Sequence, residues 1–203
     1  MKTLLLALAL LVAAFTWAGD LVEADAALLQ KDWQTALEKY KAAAAKGDAY
    51  AQLQVGNIYA TGNESIRKNE REAVRWYQLA AAQGDANAQQ NLGYSYERGE
   101  GVLQDYAEAA RLYKLAASQG LPIAQRSLGL MYWEGIGVSH DLVRAHMWMN
   151  LAAANCDAIC DVTSVENTRK FREKIAKALT PKQITQAQMM ARQCQSRNFK
   201  NCD

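Results

Sequence analysis

Few side chains in this 203-residue sequence have the types and spacing that catalysis needs. The two histidines, His140 and His146, are six residues apart, so a helix would not place them on one face. Ser65 and Lys68 match the S-x-x-K pattern of penicillin-recognising enzymes, but the sequence lacks the companion S-D-N and K-T-G motifs. We therefore expect a protein without catalytic residues, metal or cofactor. A weak penicillin-binding or β-lactamase-like enzyme is the alternative.

Four cysteines in the last third of the chain offer a second kind of chemistry. They are Cys156, Cys160, Cys194 and Cys202. Three pairings are open to them, and the local one (Cys156 with Cys160, Cys194 with Cys202) is favoured because short loops close at a small entropic cost. A zinc site of four thiolates is the alternative, although the spacings contain no C-x-x-C pair.

The first 18 residues have the pattern of a secretory signal peptide. Lys2 precedes an apolar run from Leu4 to Phe15, and the small residue Ala18 follows. We expect cleavage after Ala18, with Ala14 as a second candidate; the alternative is an uncleaved membrane anchor. Export also fits the cysteines, since disulfides persist in oxidising compartments. The sequence thus predicts a periplasmic or secreted protein that is not integral to the membrane after cleavage.

A period of about 36 residues organises the middle of the chain. Gly47, Gly84, Gly120 and Cys156 open successive segments at intervals of 37, 36 and 36 residues. The one extra residue falls in the loop between Gly62 and Asn69, and a half-segment beginning at residue 32 precedes the first full one. Self-similarity at such a period indicates a stack of supersecondary units.

Each segment predicts a pair of helices, A and B. In the second segment, Ala88, Leu92 and Tyr96 share one helical face, and a similar stripe follows the turn at residues 99–102. Aspartates precede helix B, where they can cap it; they are Asp32, Asp105 and Asp141. A glycine such as Gly93 inside a helix costs about 1 kcal/mol relative to alanine, so we expect the neighbouring helix to need that space.

The repeated residues resemble the Sel-1-like repeat, a relative of the tetratricopeptide repeat. Residues 88–120 carry the pattern Ala-x-x-x-Leu-Gly-x-x-Tyr-x-x-Gly-x-Gly-Val-x-x-Asp-x-x-x-Ala almost fully, and residues 124–153 repeat it. The resemblance implies an all-α fold, a right-handed α-solenoid of antiparallel helix pairs with about 3.5 repeats of 36 residues. It also implies protein binding rather than catalysis.

The predicted organisation has three parts. A signal peptide (1–18) precedes the repeat solenoid (19–156), and a helical, disulfide-bonded cap (157–203) closes it. Terminal repeats must seal an apolar face. In the cap, Thr180-Pro181 and Gln183 have the order of a capping box at the start of a helix.

The binding surface follows from the period, because helix A lines the concave face in tetratricopeptide-like stacking. Val55, Leu92 and Leu128 are assigned to the core together with the row Tyr59, Tyr96 and Tyr132. Positions turned away from that core are the candidate partner-binding residues, polar in the first half and apolar in the second. They are Tyr50, Asn57, Asn87, Tyr94, Arg98, Ile123, Leu130 and Trp133.

Charge is unevenly distributed along the chain. The net charge of +2 does not suggest nucleic-acid binding, but residues 166–203 contain nine Lys or Arg and three acidic residues. We predict a scaffold for a protein or peptide partner, acting as an adaptor or as a toxin-immunity or inhibitor protein. The alternative is an envelope-associated module that binds peptidoglycan or anionic lipid through the basic cap. The basic residues of 166–203 would also be explained if they only form the solvent-exposed face of two amphipathic helices.

Overall fold

A computed structural model describes residues 19–156, 162–200 and 202, and every regular element in these ranges is an α-helix. The predicted all-α class is therefore confirmed. The predicted signal peptide, residues 1–18, lies outside the described residues. Residues 19–29 form α1. The other helices are α2 (Trp33–Ala45), α3 (Ala49–Thr61), α4 (Glu70–Ala82), α5 (Ala86–Arg98), α6 (Tyr106–Ala117), α7 (Pro122–Glu134), α8 (Leu142–Asn155), α9 (Val162–Lys177) and α10 (Pro181–Ser196).

The helices belong to two compact units that meet in sequence between Asp85 and Ala86. In the first unit, α3 packs against α2 and α4. In the second, α5 packs on α6, α6 on α7 and α7 on α8, so consecutive helices form the predicted pairs. The C-terminal helices α9 and α10 both pack against α8.

Side-chain caps start the second helix of each pair. The predicted caps are confirmed: Asp32, Asp105 and Asp141 each accept a hydrogen bond from a backbone amide of the first turn of α2, α6 and α8. Asn69 does the same for α4. Thr180 and Gln183 form the predicted capping box of α10.

A tyrosine of helix B lies directly under the glycine of helix A. A Cβ added to Gly93 would lie 2.8 Å from Cδ1 of Tyr113, and one added to Gly56 would lie 2.5 Å from Cε1 of Tyr77. The expectation that a neighbouring helix needs this space is confirmed. The third repeat has Met149 at the corresponding place, whose Cε would lie 3.2 Å from a Cβ on Gly129.

Buried glutamines connect the first helices α3 and α7 to the helices before and after them. Gln125 of α7 is fully buried; its Nε2 donates to the Ala117 carbonyl at the end of α6 (3.2 Å), and its Oε1 accepts from Asn155 Nδ2 at the end of α8 (3.0 Å). Gln52 of α3 makes the same two bonds, to the Ala44 carbonyl and from Gln83. One side chain thus fixes the register of three consecutive helices.

The C-terminal segment is tied to the last repeat by packing and by a covalent bond. Ala187, Ala191 and Cys194 of α10 share a core cluster with Trp148 of α8. Cys194 and Cys202 form a disulfide, so their sulfurs cannot serve as two of the thiolates in the alternative zinc site. Cys156 is also disulfide-bonded, and Cys160, its expected partner, lies outside the described residues.

We expect the repeat glycines to differ in their tolerance of alanine. Gly93→Ala forces a methyl group into the ring of Tyr113, and overpacking of this kind costs about 1–3 kcal/mol. A Cβ in Gly129→Ala meets the Met149 side chain (Cε at 3.2 Å) and the Ala145 carbonyl oxygen (3.3 Å), which are less close than the Tyr113 ring, and the change gains about 1 kcal/mol of helix propensity. Urea unfolding should show a lower free energy of unfolding for Gly93→Ala than for Gly129→Ala. Equal values would contradict this packing.

Gln125→Leu should lower the free energy of unfolding by about 1–3 kcal/mol, because it leaves the Ala117 carbonyl and the Asn155 amide without their buried partner. Gln188→Leu is the matched control, since Gln188 is exposed on α10 and its loss should change stability by less than about 0.5 kcal/mol. Chemical denaturation of both variants checks this. Indistinguishable midpoints would refute the structural role of Gln125.

Candidate binding surface

The first helices of the second and third repeats border a cavity within the second unit. Its volume is about 440 Å³, and its walls come from the end of α5, the following loop and α7. Two predicted partner-binding residues, Arg98 and Leu130, line it, together with Glu97, Ser127 and Glu134. The cavity therefore offers charges of both signs beside an apolar wall.

Two exposed apolar side chains lie on the same pair of helices. Tyr94 of α5 is 47% exposed, and Ile123 of α7 is 55% exposed. Asn87 and Arg98, at either end of α5, are also exposed. These four predicted residues are accessible in the second unit, as a partner-binding role requires.

The C-terminal helix α9 covers another part of the predicted surface. The rings of Trp133 and Phe171 meet edge to face with centroids 5.7 Å apart, and Lys174 Nζ lies 5.4 Å from the Trp133 centroid. Leu130 is partly buried and, like Phe171, packs against a core cluster that includes Met149 of α8 and Ile175 of α9. Trp133 thus contributes to the attachment of the cap.

In the first unit, the two predicted residues make internal hydrogen bonds. The Tyr50 hydroxyl donates to Asp25 Oδ1 of α1 (3.0 Å), which also accepts from Tyr40. Asn57 Oδ1 accepts from the hydroxyl of Tyr77 (3.0 Å). Tyr50 is still 42% exposed, whereas Asn57 is only partly accessible.

The residues assigned to the core from sequence divide into two groups. Val55, Leu92 and Leu128 are buried, but Tyr59, Tyr96 and Tyr132 are only half-buried. The most buried tyrosines are Tyr40 and Tyr113 on second helices. Tyr113 donates to Glu97 Oε2 (2.5 Å), and burial together with this carboxylate raises the pKa of the phenol.

The S-x-x-K motif lies in the loop between α3 and α4, where its residues have structural contacts. The Ser65 backbone amide donates to Asn63 Oδ1 (2.9 Å), and Lys68 Nζ lies 2.7 Å from Glu70 Oε1. Both residues line an open cavity of about 890 Å³ that also contains Lys41, whose Nζ donates to the Tyr59 hydroxyl (2.6 Å). This loop carries the extra residue of the first repeat.

The two histidines have different environments. His140 is exposed before α8, whereas His146 is buried within it. Asn150 Nδ2 lies 3.2 Å from His146 Nδ1, and Arg172 Nη1 donates to Asn150 Oδ1 (3.3 Å). Burial, followed by the charge of Arg172, lowers the pKa of His146.

Two further observations concern metals and membranes. Among residues 19–156, 162–200 and 202, no group of three or more His, Cys, Asp and Glu is arranged to hold a metal ion. Over the same part of the chain, no helix has the length and hydropathy needed to cross a bilayer.

Comparison with known proteins identifies the repeat. The Sel1 repeat is matched at residues 49–85, 86–121 and 122–155, which together make up more than half of the chain. The protein belongs to the Sel1 repeat family, as the sequence predicts. Proteins of this family are typically non-catalytic scaffolds for protein interactions.

Solved structures of similar fold include two bacterial proteins. A Sel1 repeat protein from Oxalobacter formigenes is 33% identical with a TM-score of 0.64, over 68% of this chain and 56% of that one. A protective antigen present in uropathogenic Escherichia coli strains, displaying an SLR fold, is 28% identical with a TM-score of 0.59, over 83% of this chain and 42% of that one. The chain thus spans about half the length of these relatives. No curated protein gave a significant match.

The environment of His146 predicts a pH-dependent stability. Because its pKa is lowered in the folded state, the unfolded chain binds a proton more readily, and stability should fall as the pH drops below about 6.5. His146→Gln should flatten this dependence, while His140→Gln, a change at an exposed histidine, should leave it intact. Thermal unfolding of the wild type and both variants at a series of pH values measures this pH dependence of stability. An unchanged profile in His146→Gln would show that other groups are responsible.

Proposed function

We propose that the protein is an exported, non-catalytic repeat scaffold that binds a protein or peptide partner through the first helices of its repeats. Family membership supports the scaffold class. The observation that carries the proposal is the pairing of exposed apolar residues, Tyr94 and Ile123, with a cavity lined by Arg98 on the same two helices. Aromatic residues and arginine are enriched in binding hot spots, and this pair of helices exposes both.

The packing of α9 on Trp133 supports a partner-binding site away from that residue. Since Trp133 is engaged by Phe171, the binding surface is centred on Tyr94, Arg98 and Ile123. A partner with an apolar side chain and charged neighbours fits this surface. An inhibitory role, in which the partner is a toxin that the chain blocks, is one special case, and an adaptor role is the other.

Export is the second element of the proposal and is supported by sequence and by cysteine chemistry. The pattern of residues 1–18 is that of a signal peptide. The disulfide between Cys194 and Cys202 is of the kind that persists in oxidising compartments. These two features together support the proposal of a periplasmic or secreted location.

The basic C-terminal helices favour a second candidate, an envelope-associated module that binds peptidoglycan or anionic lipid. Arg169 and Lys177 are exposed on α9, as are Lys182 and Arg192 on α10. Sedimentation with cell-wall sacculi and with anionic vesicles tests this function. Binding that weakens as salt increases supports it, and binding that is absent or insensitive to salt excludes it.

The scaffold function predicts that a partner is lost when the proposed surface is altered. Crosslinking in the native envelope followed by mass spectrometry should recover a partner with the wild-type chain. Ile123→Asp and Tyr94→Ala should each reduce that recovery about tenfold, because they place a charge or a void in the hot spot. Leu79→Asp is the matched control, as Leu79 is 50% exposed on the second helix α4. Equal recovery by all variants would contradict the proposal.

A further inference from the structure

A buried histidine of α8 belongs to a chain of polar contacts that the scaffold function does not use. His146 is 3% exposed, and its Nδ1 lies 3.2 Å from Nδ2 of Asn150, one helical turn further along α8. The other end of the same amide, Oδ1 of Asn150, accepts from Nη1 of Arg172 on α9 (3.3 Å). Asn150 therefore connects a histidine of the last repeat to an arginine of the cap.

The hydrogen bonds of this chain run in one direction. A guanidinium donates and never accepts, so the group of Asn150 that faces Arg172 must be its oxygen. The NH2 group of Asn150 then faces His146, and Nδ1 of that ring must accept, which requires a neutral imidazole with its proton on Nε2. The connection between α8 and α9 thus depends on the protonation state of His146.

The surroundings of His146 keep the ring neutral at neutral pH. Burial is the larger effect and the charge of Arg172 the smaller, and both lower the pKa of His146. The helices α7 and α10 also pack against α8, but among the described residues Arg172 is the one group whose charge acts on the ring. On α8 itself, Arg144 is held by Asp141 (Nη1 to Oδ2, 2.5 Å). In the part of the chain that the structure describes, no carboxylate acts to stabilise the protonated ring.

Protonation of Nδ1 changes that atom from an acceptor into a donor. The NH2 group of Asn150 can then no longer face His146, so the amide must turn its oxygen toward the imidazolium. Its NH2 group then faces the guanidinium of Arg172, which also only donates, and the bond between α8 and α9 is lost. The two positive charges that face the same amide also repel each other.

The part of α9 that Arg172 attaches to α8 also covers part of the repeat surface. Phe171, its neighbour in sequence, meets the ring of Trp133 on α7. Leu130 of α7 packs against a core cluster to which α9 contributes. Two residues that the sequence assigns to partner binding, Leu130 and Trp133, thus lie against the helix whose attachment depends on His146.

We propose that protonation of His146 loosens α9 from α8 and uncovers the C-terminal end of α7, so that α9 acts as an acid-released cover. Once the ring has taken up its proton, Leu130 and Trp133 become accessible and join Tyr94 and Ile123 in the binding surface. This enlargement of the binding surface rests on the proposed scaffold function, whereas the loosening of α9 does not.

Hydrogen–deuterium exchange of the full chain, followed by mass spectrometry at about pH 7.5 and about pH 5, measures the opening of α9 on either side of the histidine transition. After correction for the intrinsic effect of pH on exchange, amides of α9 should exchange about tenfold faster at the lower pH, because one bond to a charged group is lost. Amides of α5 are the internal reference. Equal protection of α9 at the two pH values would overturn the proposal, and so would an equal acceleration in α5, which would indicate a global loss of stability.

Two variants assign the effect to this chain of contacts. Asn150→Asp replaces the amide by a carboxylate that accepts from both the imidazolium and Arg172, so acid should no longer accelerate exchange in α9. His146→Gln removes the titrating ring and should also abolish the acceleration, whereas His140→Gln, at an exposed histidine, should retain it. Acceleration that persists in His146→Gln would overturn the assignment even if Asn150→Asp does not fold.

The position of crosslinks separates the cover from the scaffold function. At about pH 5, crosslinks from the wild-type chain to its partner should include the C-terminal end of α7, and at about pH 7.5 they should be about tenfold fewer there. Equal crosslinking of this end at both pH values would contradict the cover and leave the scaffold function intact. Partner recovery that is unchanged in Ile123→Asp would contradict the scaffold function, while exchange in α9 is measured without a partner.

Discussion

The packing of this protein depends on a buried amide at one position of every repeat. Gln52 and Gln125 each donate to the last turn of the preceding helix and accept from the end of the following one. Gln89 likewise accepts from Gln119 (2.9 Å). Apolar contacts between alanine-rich helices would tolerate a shift along the helix axis, but a buried amide that must satisfy two groups does not. The register of the helix pairs, and with it the position of the exposed residues on α5 and α7, follows from these bonds.

The cap decides how much of the repeat surface stays accessible. A hydrophobic helix face at the end of a repeat array has to be covered, and α9 covers part of it through Phe171 and Ile175. Trp133 and Leu130 lie near the cap, whereas Ile123, at the other end of α7, is exposed. Of the apolar residues proposed for binding on α7, Ile123 is thus the one that the cap does not reach.

Sequence alone predicts the helices, their caps and the close contact at Gly93, because each has a local pattern that returns every 36 residues. It does not predict that Trp133 packs on Phe171, since this contact joins a repeat to a segment outside the period. The role of Gln52, Gln89 and Gln125 was missed, although their recurrence at the repeat spacing was a usable signal. Nor does the sequence indicate that Trp148 lines a cavity, because that cavity needs the fold of the last residues.

The amide bonds also bear on how such a chain can change in length. Inserting or deleting one residue within a helix would rotate a glutamine away from its two partners and leave polar groups buried without a bond. Adding a whole repeat would bring a new glutamine together with its own partners. Variation in this architecture should therefore come in complete repeats or in the connections between helices. The loop from Gly62 to Asn69 already holds one additional residue, and the helices α3 and α4 on either side of it are each 13 residues long, as α5 is.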